Sequence, residues 1–191
     1  MLAAVRVLLV GLAAVAALGA PSGLGVGAAD LSPPVHDDRL AGALDLLASN
    51  PDTLHLRDVL DSSGVGIQFS AMAPGIYARY SVQRRTIEID SRWAEATPET
   101  LAAVIAHEAT HAEDAVSGYL ATGGTRACID SEVRAFHTAA RFWLGHFGPA
   151  GKPQASTDLE RQLNLIAQRE RADPASLETV IRQTYTGQCA H

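Results

Sequence analysis

The feature that most constrains the fold is the pentapeptide His107-Glu108-Ala109-Thr110-His111, set in an Ala-rich segment. On an α-helix, two histidines four residues apart are offset by only about 40° and project from one face. Both imidazoles can then grip a single ion, which is a zinc site in outline. Glu108 stands roughly 100° round from His107, able to reach a water polarised by the ion without displacing it, as a general base must. A fold built on this motif has to half-bury a helix beside a metal and bring a further ligand from elsewhere in the chain.

The flanking sequence supports a helix. Thr97-Pro98-Glu99 reads as a helix start, with Thr as N-cap, Pro at the first helical position and an acid in the first turn. From there Leu101, Val104, Ile105, Ala112 and Val116 recur at helical spacing, and the residues beside the motif are uncharged and free of Pro. The blander reading of the same residues is a helix that carries two surface histidines and a glutamate.

Zinc in a hydrolytic site takes three protein ligands and keeps a fourth position open, so the next acidic helix should supply the third. Residues 127–144 have helical apolar spacing and contain both Asp130 and Glu132. Glu132 is the first choice. It follows His111 across the Gly-rich turn at residues 118–124, long enough to reverse the chain and lay a second helix on the first. Asp130 is the runner-up, closer to the helix start, where capping accounts for an acid.

These residues resemble the gluzincins, zinc metallopeptidases with HExxH on one helix and a Glu ligand on the next; Glu132-x-x-Ala135 is similar to the ExxA that follows that Glu. More narrowly, His107-Glu108-x-x-His111-Ala112-x-Asp114, Ala127-Cys128 and Ser131-Glu132-x-Arg134-Ala135 resemble a family of mitochondrial inner-membrane peptidases that mature an ATP synthase subunit. The likeness covers about thirty residues and implies His107, His111 and Glu132 as ligands of Zn2+, with Glu108 as the base. Two positions depart from the pattern. Glu113 stands where zincins usually carry an apolar residue, and Phe136 where many gluzincins carry an acid that orients a histidine. Asp114 is the candidate substitute, on nearly the same face as both histidines, since a carboxylate behind a ligating imidazole fixes its tautomer; the alternative is a solvated surface acid.

The 191 residues suit one domain once a leader is set aside. Residues 1–29 read as a secretory signal peptide: a short basic start ending at Arg6, an apolar run over 7–18, and small residues around positions 20 and 29. The alternative is an uncleaved anchor, against which Pro21 and the following glycines interrupt the span. The expected product is a secreted or extracytoplasmic domain over residues 30–191, with no stable membrane insertion after processing. Net charge is -6, and Lys152 is the single lysine among dispersed arginines, Arg84-Arg85 being the nearest approach to a patch. That distribution lacks the basic stripe a nucleic-acid surface needs. Two cysteines, Cys128 and Cys189, in an exported chain favour a disulfide that ties the C-terminus to the turn before Glu132; a buried thiol or a metal ligand at Cys128 is the alternative.

Along the rest of the chain, residues 37–49 read as an amphipathic helix and 51–61 as a second, short one. Residues 66–69, 76–80 and 86–90 alternate as strands do, and 157–171 and 174–185 return to helical spacing. The fold expected is α+β: a helix-dominated, zincin-like domain with a small, mainly antiparallel sheet preceding the HExxH helix. The gluzincin likeness gives the strand at 86–90 the border of the cleft, where substrate adds as an extended strand.

Together these readings describe an exported zinc metallopeptidase acting on a peptide or protein substrate, with Tyr119, Arg134, His137 and His146 as unranked donors to a transition-state oxyanion. Two other classes fit the motif: a non-catalytic binding protein on a zincin scaffold, and a zinc hydrolase acting on a non-peptide bond. The intact Glu108 argues against the binder, which has no use for that carboxylate.

Overall fold

The computed structural model describes residues 37–190. The leader at 1–29, its cleavage or retention as an anchor, and the Pro-rich linker at 31–35 lie outside the described residues. Among those described, no helix is long and apolar enough to cross a membrane.

Helices α1 (Asp38–Ser49) and α2 (Leu54–Ser63) lead into three strands, β1 (Gly66–Ser70), β2 (Ala78–Ser81) and β3 (Thr86–Asp90). A single 3-10 turn precedes α3 (Pro98–Val116). The chain then runs through the four-residue helix α4 (Tyr119–Thr122), the long α5 (Gly124–Phe147), α6 (Asp158–Ala172) and α7 (Pro174–Tyr185). The architecture is α+β and dominated by helix, as expected. Local chemistry sets the boundaries: the Asp37 carboxylate caps α1 through the Arg39 N–H, Gly64 ends α2 in the left-handed region, and Thr157 with Glu160 forms a capping box on α6. Thr97 occupies the N-cap position of α3, but its hydroxyl meets the Thr100 hydroxyl at 3.1 Å and does not cap the helix.

The sheet corrects the expectation of a mainly antiparallel one. Its order is β1-β3-β2, with β2 antiparallel and β1 parallel to β3. Alternation identifies strands and carries no information on which neighbour each one takes. The connection at residues 71–77 is long enough to step over one strand, a span of about 10 Å, so β3 returns into the gap. Being central, β3 is buried on both faces: Ile87 and Ile89 face the helices, while Glu88 and Asp90 are buried opposite them. Arg79 and Arg84 pair with Glu88 at 2.6 and 2.7 Å. The cleft-border role expected of 86–90 is likewise corrected, because both edges of β3 are taken by its neighbours. β2 is the strand that lies against α3 with an outer edge unpaired among the described residues.

Helix α3 is more deeply placed than a half-buried helix. Every residue from Thr100 to Ala112 is buried, because α1, α2, α5 and the sheet surround it. Its alanines at 102, 103, 106, 109 and 112 make this packing feasible, since small side chains let neighbours approach on all sides. The core continues through Leu47, Leu56, Phe136, Phe142, Trp143, Leu159, Ile181 and Tyr185, each large side chain contributing about 1.5–3 kcal/mol. His107 and His111 thus sit on a helix enclosed by its neighbours.

Candidate metal centre

His107 and His111 project from one face of α3, with Nε2 atoms 3.2 Å apart. Helix α5 crosses this face and delivers Glu132, whose Oε2 lies 3.6 Å from His107 Nε2 and whose Oε1 lies 3.7 Å from His111 Nε2. A tetrahedral zinc with bonds of about 2.0–2.2 Å holds its ligand atoms about 3.3–3.6 Å apart. All three side chains are buried and close enough to share one ion.

The polar inventory of the site also fits a cation. Both carboxylate oxygens of Glu132 and one of Glu108 are buried without a hydrogen-bond partner among the described residues. Burial pushes Glu132 up to about 7 and, together with the charge of Glu132, raises Glu108 well above the usual carboxylate range against the pull of the Tyr80 backbone N–H. Burial also depresses His107 to about 3 and His111 to about 4, so both imidazoles are neutral and their lone pairs are free to ligate. Two carboxylates enclosed with two neutral imidazoles lack a compensating positive charge, which a divalent cation would supply.

Asp114 reaches the site through an intermediary. Ser131 donates its one hydroxyl proton to Asp114 Oδ2 at 2.6 Å and lies 2.7 Å from His111 Nδ1. A hydroxyl that has donated its proton can only accept from the ring, so His111 carries hydrogen on Nδ1 and presents a bare Nε2 to the site. The carboxylate thus reaches the His111 ring through Ser131 and not by direct contact. Asp114 is buried and its other oxygen is paired with Arg134, so it is not a solvated acid.

His107 is held differently. Phe136, at the position where an acid was sought, meets its ring edge-on with centroids 4.7 Å apart, and His107 Nδ1 has no hydrogen-bond partner. Glu113 sits at the half-exposed margin of α3, 3.7 Å from His55 and 3.9 Å from Arg134. Asp130, the runner-up ligand, lies in the second turn of α5 and is no cap: it accepts from the Tyr119 hydroxyl at 3.1 Å and pairs with Arg182 at 2.7 Å, away from the histidines.

The four oxyanion donors weighed from sequence are engaged elsewhere: Tyr119 with Asp130, Arg134 with Asp114, His137 with Glu170, and His146 stacked on Phe142. Two residues that bear on the site were given no role from the sequence: Ser131, quoted there only within the family resemblance, and Tyr185. The tyrosine ends the apolar stripe Leu177, Ile181, Tyr185 of α7, and its hydroxyl is buried without a partner. The available signal was the cysteine pair. Cys128 and Cys189 are bonded, with Cα atoms 5.7 Å apart, which brings the neighbours of Cys189 to the helix that carries Glu132.

No family profile, characterised protein or solved structure matches the chain significantly.

Proposed function

We propose that the chain is an exported zinc metallopeptidase of the gluzincin type, with His107, His111 and Glu132 as zinc ligands and Glu108 as general base. The observation that carries this reading is the partnerless Glu132 carboxylate facing two imidazole nitrogens at ligand spacing, with Glu108 buried beside it. Zinc, when bound, supplies Lewis acidity that polarises the scissile carbonyl and acidifies water. The chain supplies the rest. Glu108 takes the proton of the attacking water and delivers it to the amine as the C–N bond breaks. Ser131 and Asp114 hold the His111 ring in its ligating tautomer. β2 lies against α3, and its outer edge, unpaired among the described residues, offers backbone groups to an extended substrate, a peptide or unfolded protein segment.

Export rests on the leader at residues 1–29 and is supported by the Cys128–Cys189 bond, which persists in oxidising compartments. The test is zinc content and chelator-sensitive cleavage of casein by the mature protein. One zinc per chain with cleavage abolished by chelation supports the reading. Stoichiometric zinc without cleavage of any peptide, beside hydrolysis of small amides or esters, would transfer it to a non-peptide hydrolase.

A further inference from the structure

The end of α7 is fixed at two points that bracket Glu132. One turn before Glu132 on α5, Cys128 is bonded to Cys189. One turn after it, Phe136 meets Tyr185 with ring centroids 5.6 Å apart and planes at 62°. The Cys189 N–H donates to the Tyr185 carbonyl at 2.9 Å, which joins the two anchors. Tyr185 is thereby held with its ring buried against Phe136, whose other aromatic contact is the His107 ring, so one aromatic side chain separates it from the candidate metal centre.

Its hydroxyl has no partner among the described residues. A phenol enclosed in this way lowers stability relative to the phenylalanine that would fill the same space, unless the hydroxyl serves a molecule that enters the site. Burial first, and then the charges of Glu132 and Glu108, raise Tyr185 well above the usual phenol range, so the hydroxyl keeps its proton and can act only as a donor or acceptor of hydrogen bonds. The same two carboxylates cannot be its lasting acceptors if one holds a cation and the other accepts a proton from water. The polar atom left for it to meet is an oxygen of the substrate.

From this placement we infer that Tyr185 is a catalytic hydrogen-bond donor, its hydroxyl stabilising the scissile carbonyl oxygen as negative charge gathers there. The inference rests on the peptidase reading above and assigns the donor that reading requires. Water adds to the carbonyl carbon, its proton passes through Glu108 to the amine, and the C–N bond breaks. Tyr185 keeps its own proton throughout. A donor aimed where charge develops, in a site closed to solvent, accelerates the step because it needs no reorganisation at that moment.

The experiment compares the wild type with Tyr185→Phe, both purified with zinc, by metal content, thermal unfolding, cleavage kinetics and binding of a phosphinic pseudopeptide whose phosphinate oxygens mimic the tetrahedral intermediate. Expected for Tyr185→Phe are undiminished zinc, a melting temperature equal to or above that of the wild type, kcat lower by about 10²–10³-fold with KM little changed, and at least tenfold weaker phosphinic binding. If the wild type cleaves peptides and Tyr185→Phe matches it within threefold in kcat and in phosphinic affinity, the inference is overturned and the peptidase reading stands. If the zinc-loaded wild type neither cleaves peptides nor binds the phosphinic compound, the reading fails and the role of Tyr185 falls with it.

Discussion

Ser131 accepts a 2.7 Å hydrogen bond from Nδ1 of His111, and it can do so only because its own proton is committed to Asp114. A buried relay of this kind orients a ligating ring and raises its basicity, and its loss typically costs 10–100-fold in metal affinity. Ser131→Ala and Asp114→Asn are each expected to weaken zinc binding by about that factor, measured by competition with a chromophoric chelator. Unchanged affinity in both variants would reduce the relay to packing.

Glu132 and Asp130 lie two residues apart on α5 and face different surroundings. Glu132→Ala is expected to lower zinc occupancy sharply and leave the fold intact, since its carboxylate oxygens have no protein partner to lose. Asp130→Ala is expected to retain zinc and to lose about 1 kcal/mol of stability with its bonds to Arg182 and Tyr119. Metal analysis showing the reverse pattern would mean that the third ligand is misassigned.

The disulfide closes a loop of 61 residues, for which the chain-entropy account gives about 4 kcal/mol. Reduction, or replacement of both cysteines by serine, is therefore expected to lower the urea midpoint strongly and to impair turnover more than zinc content. The turnover effect follows because the bond fixes the end of α7, whereas the histidines sit on the enclosed α3. Two free thiols in the purified protein, found by non-reducing mass spectrometry, would contradict this.

Acid should weaken the packing of α6. Burial alone would raise Glu160, but Lys152 and the N–H groups of Ser156 and Thr157 hold it down to about 2, below its ordinary 4.5. A carboxylate depressed on folding contributes stability that is full above the unfolded value and is lost as pH falls through the folded one. The loss is therefore expected between pH 4.5 and about 2. Lys152→Ala should cost about 1–3 kcal/mol at neutral pH and flatten this dependence. Denaturant midpoints at pH 7 and pH 3 in both proteins check it; parallel curves would exclude Glu160 as the source.

Much of the site was legible because its information is local. Helical spacing placed His107, His111 and Asp114 on one face with Glu108 about 100° round from His107, and the next acidic helix offered Glu132. The cysteine count gave the disulfide. Alternation found all three strands, yet strand order depends on which edge a returning chain reaches, and the central place of β3 showed only as buried Glu88 and Asp90. Ser131 stood in the segment that carries the family resemblance, but its relay role was not legible because a serine next to a ligand glutamate has no periodicity of its own. Tyr185 was hidden because an aromatic at the end of an apolar stripe reads as core, and it is partly that: its ring packs on Phe136 while its hydroxyl is left without a partner. Helix α3 read as half-buried because hydrophobic spacing does not register alanine as a contact surface.

The central claim is that Glu108 is a base and not a ligand, in a zinc site made by His107, His111 and Glu132. Glu108→Gln keeps the shape of the side chain and removes its ability to take a proton. Cleavage by the zinc-loaded variant is the most direct measurement: the account expects turnover reduced by at least about 10²–10⁴-fold, as for loss of a general base, with one zinc still bound per chain. Turnover near the wild-type rate in that variant, with zinc present, would contradict it.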